Sequence, residues 1–85
     1  DYINSLAPAE RLLEQSAVSD IDQQALQAYA RAAYSKRNAQ LAGDGEASIW
    51  FSGAMGSALK RMSPTAQGLA SNYASLKFGD ENVAD

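Results

Sequence analysis

Apolar residues recur along most of this chain at intervals of three and four, the spacing of one face of an α-helix. Leu6, Ala9, Leu13 and Ala17, with Leu12 beside them, mark a first, short helix. Arg11, Glu14 and Gln15 fall mostly on its other side. Ala7-Pro8 sets its start, because proline is tolerated in a first helical turn, and it is expected over 7–16. Ser19-Asp20 then reads as a break. Asp20 at the N-cap with Gln23 three residues on approximates a capping box. Beyond it Ile21, Ala25, Ala28, Tyr29, Ala32 and Ala33 form a broad apolar face, widened by Leu26, Ala30, Tyr34 and Leu41. No glycine or proline interrupts the run, and Gly43 suits the C′ position, so a long second helix is expected over 20–42.

The third segment, 46–62, carries the only tryptophan and both methionines. Asp44 is placed to cap it, and Glu46 lies in its first turn. Phe51, Met55, Ala58, Leu59 and Met62 make one stripe, flanked by Ile49 and Trp50. Large apolar and very small residues share this helix, which suggests a central element with neighbours on more than one side. Gly53 and Gly56 lie between Ser52 and Ser57. A glycine inside a helix costs about 1 kcal/mol relative to alanine. Two of them imply either the close approach of another backbone or a bend or break in the helix.

Ser63-Pro64 is the clearest punctuation, a serine N-cap followed by proline at N1. Ala66, Leu69, Ala70, Tyr73 and Leu76 give a fourth helix its apolar face, expected over 64–78 and closed by Lys77 and Gly79. Residues 79–85 read as a frayed acidic tail. The expected fold is all-α, a compact four-helix bundle-like single domain whose first helix is short, with short loops favouring antiparallel neighbours.

Composition narrows the chemistry. With 85 residues, 46% of them apolar and 20% charged, the chain supports one core. It has neither cysteine nor histidine. Disulfides and thiolate sites are thereby excluded, and the commonest general base and metal ligand are lost. No metal and no cofactor is expected. No apolar run approaches the roughly 20 residues of a membrane span. The chain begins at Asp1, which suggests a processed product, an excised domain or a trimmed chain.

The remaining motifs are weak. Ser57-Ala58-Leu59-Lys60 matches the SxxK pattern of Ser-Lys acyl transfer, but its companion motifs are missing. The Gly43-Asp44-Gly45 turn lacks the lysine of a phosphate loop and the ligand count of a calcium loop. Glu10 and Glu14, one turn apart, read as a solvated face. Catalysis is not expected.

Net charge is −3, with the acids crowded toward both ends. Between Gln23 and Gly79 six basic residues face two acidic ones. This follows the helix macrodipole, or else it marks a basic centre for an anionic partner. The expected function is therefore non-catalytic protein–protein interaction, as an adaptor, a chaperone-like subunit or a docking domain. Trp50, Phe51, Gly53, Gly56 and Tyr34 are the contact residues, and another protein or a second copy of the chain is the partner. The alternative is a nucleic-acid-binding domain using Lys36, Arg37, Lys60 and Arg61.

Overall fold

Two left-handed backbone positions punctuate the first half of the chain, Ala17 at φ 52° and Gly43 at φ 74°. Each ends a helix in the same way. The Ala17 and Val18 N–H groups donate to Glu14 and Leu13 carbonyls, and the Gly43 and Asp44 N–H groups donate to Gln40 and Ala39 carbonyls. This paired pattern satisfies carbonyls that a helix end would otherwise leave open.

The structure, a computed structural model, describes residues 7–78. It contains α1 (Pro8–Ser16), α2 (Asp20–Leu41), α3 (Gly45–Lys60) and α4 (Pro64–Phe78), and no strand among the described residues. The all-α, bundle-like fold and its short first helix are those expected, with boundaries displaced by at most two residues. The acidic stretch 79–85 and the arm before Ala7 lie outside the described residues.

The caps refine the expectation. Asp44 accepts the Ala47 N–H at 3.0 Å and caps α3. Ser63 Oγ accepts the Ala66 N–H at 3.3 Å, with Pro64 following as the first residue of α4. At α2, however, the cap is Ser19, which accepts the Asp22 N–H at 3.2 Å, and not Asp20. Gln23 makes no capping box either; its amide donates to the Val18 carbonyl at 3.1 Å. Gln67 reaches back to the Leu59 and Met62 carbonyls and closes the end of α3.

The central element is α2, not α3, and this corrects the expectation. α3 and α4 both pack on α2, and α1 packs on α4. Seven residues of α2 are buried: Ala25, Leu26, Tyr29, Ala30, Ala32, Ala33 and Ala39. Five of them are alanines, whose small side chains let a helix lie against each flank of α2 at close range. Leu26 and Tyr73 are the largest fully buried side chains. From α3 only Met55 and Ala58 are buried, with Ala54 and Leu59 packed partly against the core. Met62, in the turn after α3, joins them.

Directions follow from the long-range contacts. Asp22 binds Ser63 at the start of α2 and of α4, and Tyr34 stacks on Phe78 toward their ends. α4 therefore runs parallel to α2, while α3 returns antiparallel through the turn at Gly43. Three more residues depart from the expected faces. Ile21 and Leu41 are 73% and 71% exposed, at the two ends of α2. On α4 the buried row is Ala66, Ala70, Tyr73 and Ala74, one helical face that leaves Leu76 turned outward.

Candidate functional site

The outer face of α3 is built by what its inner face takes up. Met55, Ala58 and Leu59 turn toward α2, as the apolar stripe predicts. At 100° per residue, that turns Ile49, Trp50, Gly53 and Ser57 to the opposite side. Ile49 is 75% exposed and Trp50 69% exposed. They line an open depression of about 400 Å³ together with Gly53, Ala54 and Ser57. Trp50 is steadied from beside by Phe51, whose ring meets it edge-on at 5.1 Å and 88°. Phe51 itself is half-buried and belongs partly to the inner side.

Neither a bend in α3 nor the close approach of another described helix accounts for the two glycines. A Cβ built at Gly53 or at Gly56 meets nothing within 4 Å, so no backbone among the described residues approaches them. The helix also continues unbroken across both. Gly53 instead forms the open floor of the depression. The hydroxyl of Ser52 is used locally, donating to the Ser48 carbonyl at 3.0 Å.

Tyr34, the remaining candidate contact residue, does not join this face. It stacks on Phe78 with ring centroids 4.4 Å apart and planes 15° from parallel. Beside that stack a second depression, of about 260 Å³, opens between α2 and α4. Gln27, Ala30, Arg31, Tyr73, Lys77 and Phe78 line it. Lys77 Nζ lies 3.1 Å from Glu10 Oε1, and that hydrogen bond holds the Glu10 carboxyl below its ordinary range. Burial pushes the Tyr73 phenol up, so it stays neutral over the physiological range.

The four basic residues of the nucleic-acid reading fall into two pairs. Lys60 and Arg61 precede Ser63, which is bonded to Asp22 at the start of α2. Lys36 and Arg37 lie 14 and 15 residues further along α2, roughly 20 Å away at the helical rise per residue. The fold does not gather them into one surface. Ser57 and Lys60 are both exposed, with no hydrogen bond between them. Among the described residues no three carboxylates converge to hold a metal ion, and no helix is long and apolar enough to cross a membrane.

Of the residues lining this depression, Trp50 and Gly53 are expected contact residues from the sequence, Ile49 reads there as flanking and Ser57 as small, and Ala54 carries no signal. The signal was present in the spacing of four that links Ile49, Gly53 and Ser57. Comparison with known protein families, with curated proteins and with solved structures finds no match for this chain.

Proposed function

We propose that this domain works by non-catalytic protein binding, with the outer face of α3 as its docking surface. The observation that carries the reading is the pair Ile49 and Trp50, both more than two-thirds exposed beside an open depression. An isolated exposed apolar side chain is ordinary on a protein surface. A tryptophan and an isoleucine side by side over a small-residue floor present the kind of large anchor that interfaces favour. The chemistry around it agrees with binding rather than catalysis. The depression is lined by apolar and small residues and one serine, with no acid or base among the lining residues.

The test is affinity capture from cells of the source organism with the full chain as bait, run beside Trp50→Ala and Ile49→Asp. Both variants are expected to fold as the parent does, by circular dichroism and thermal melt, and to lose the captured protein. Retention of every captured protein by both variants would sink the reading.

A further inference from the structure

The residues that α3 turns outward are arranged symmetrically about Gly53. Seven residues before it stands Glu46, and seven after it Lys60. Four before it is Ile49, and four after is Ser57. Three before it is Trp50, and three after is Gly56. At 100° per residue all seven positions lie within about 60° of Gly53 around the helix. Except for Gly56, which is half-buried with open space above it, they are exposed. Glu46 and Lys60 have no ion-pair partner among the described residues.

From this pattern we infer that the occupant of the α3 face is a second copy of the same chain, docked antiparallel about a two-fold axis at Gly53. Such an axis brings each residue n places before Gly53 level with the residue n places after it in the partner copy. Glu46 then meets Lys60 of the other protomer, twice over. Ile49 lies over Ser57, and Trp50 lies over the bare backbone at Gly56. Every large group faces a small one and every charge faces its opposite. The two Gly53 residues meet on the axis and let the helices come closer than the usual 8–10 Å or so between axes. A parallel pairing would set Glu46 on Glu46, Lys60 on Lys60 and Trp50 on Trp50. Self-complementarity of one patch is what a two-fold interface requires.

The inference rests on the reading of this face as a docking surface and names its partner. The contact is one helix of 16 residues, about 24 Å long, which is small for a specific interface. The dimer is therefore expected to be reversible and concentration-dependent.

Sedimentation of the full chain, from micromolar concentrations to about 1 mM, reads the association directly. Glu46→Lys and Lys60→Glu alone each replace two opposite-charge contacts by two like-charge ones. Each is expected to weaken the dimer about tenfold or more, and the double variant E46K/K60E is expected to restore it. Because the chain has no cysteine, Gly53→Cys introduces a single thiol on the axis. Under mild oxidation it is expected to cross-link the dimer faster than Gln24→Cys on exposed α2. A chain that stays monomeric throughout the range overturns the inference. So does a dimer indifferent to both charge reversals whose G53C variant cross-links no faster than Q24C. If the chain is monomeric yet captures a different protein in a Trp50-dependent way, self-pairing fails and the docking surface stands. If Trp50→Ala changes neither association nor capture, both fall.

Discussion

Asp22 accepts both the backbone N–H and the hydroxyl of Ser63, at 3.0 and 2.6 Å, across 41 residues of chain. Ser63 Oγ in turn accepts the Ala66 N–H. One carboxylate in the first turn of α2 thus holds the residue that caps α4. The two hydrogen bonds from Ser63, the hydroxyl first, lower the Asp22 pKa below its ordinary value. A carboxyl with a depressed folded-state pKa contributes stability that is complete above its unfolded pKa. That stability is lost as pH falls through the folded one. Glu10, lowered by Lys77, has the same sign. Urea unfolding followed from neutral pH into the acid range is expected to show falling stability on acidification. Asp22→Asn should flatten that acid limb, and a variant with an unchanged pH profile would show that Asp22 takes no part. Ser63→Ala should cost about 1 kcal/mol as a lost N-cap.

The two largest exposures of function and stability are separable. Leu26 is fully buried on α2, and Leu26→Ala should cost about 2–5 kcal/mol. Since a domain of this size is stable by roughly 4–13 kcal/mol, that loss is a large part of the margin. Trp50→Ala, although it deletes the larger side chain, should change stability by no more than about 0.5 kcal/mol, as expected of an exposed position. Thermal and urea denaturation of the two variants side by side checks the contrast. A Trp50 variant as damaged as the Leu26 one would place α3 the other way round.

Glycine inside a helix with open space above it is a stability reserve. Gly68 in α4 and Gly56 in α3 both have nothing within 4 Å of a built Cβ. Gly68→Ala and Gly56→Ala should each raise stability by about 0.5–1 kcal/mol. In a domain of this size 1 kcal/mol shifts the melting temperature by about 4–8 °C, which calorimetry resolves. Destabilisation by either would reveal a contact at that backbone. Gly68→Ala should in addition leave association untouched, because it lies off the α3 face.

Helix boundaries were legible because caps and breakers act locally. Gly43, Asp44, Ser63 and Pro64 each do what their chemistry dictates within four residues of themselves. The α2 cap was misplaced by one because Ser19 and Asp20 are both good N-cap residues. In the fold Ser19 takes the position, with its hydroxyl accepting the Asp22 N–H. The central helix was misjudged for another reason. Apolar bulk favours α3, but burial depends on how many neighbours a helix has, and the alanine face of α2 admits two. The stripe Met55, Ala58 and Leu59 is legible with its inward face, but Trp50 reads from the spacing only as flanking it, and its outward place is a finding of the fold. That Ile49 stands beside Trp50 as an equal, and that Gly53 is an open floor, depends on α3 packing against α2 on one side, which periodicity does not record.

Ala17 offers a test of how local backbone strain is held by packing. It occupies the left-handed region at φ 52° and ψ 45°, where a Cβ crowds the following carbonyl at a cost of about 1–2 kcal/mol. The conformation persists because Val18, the next residue, packs against the core, and its N–H donates to the Leu13 carbonyl at 3.4 Å. The equivalent position after α2 is Gly43, which pays no such cost. Ala17→Gly removes the Cβ and also frees the unfolded chain, so the two effects oppose. The left-handed strain is the larger, and the variant should gain about 0.5–1 kcal/mol. Ala17→Val, branched at Cβ in the same backbone region, should lose stability instead, since β-branched residues tolerate positive φ worst. Urea midpoints for the pair decide the matter: a gain for glycine with a loss for valine assigns the effect to backbone conformation. Equal losses would mean that the exposed Ala17 side chain makes a contact worth more than its strain.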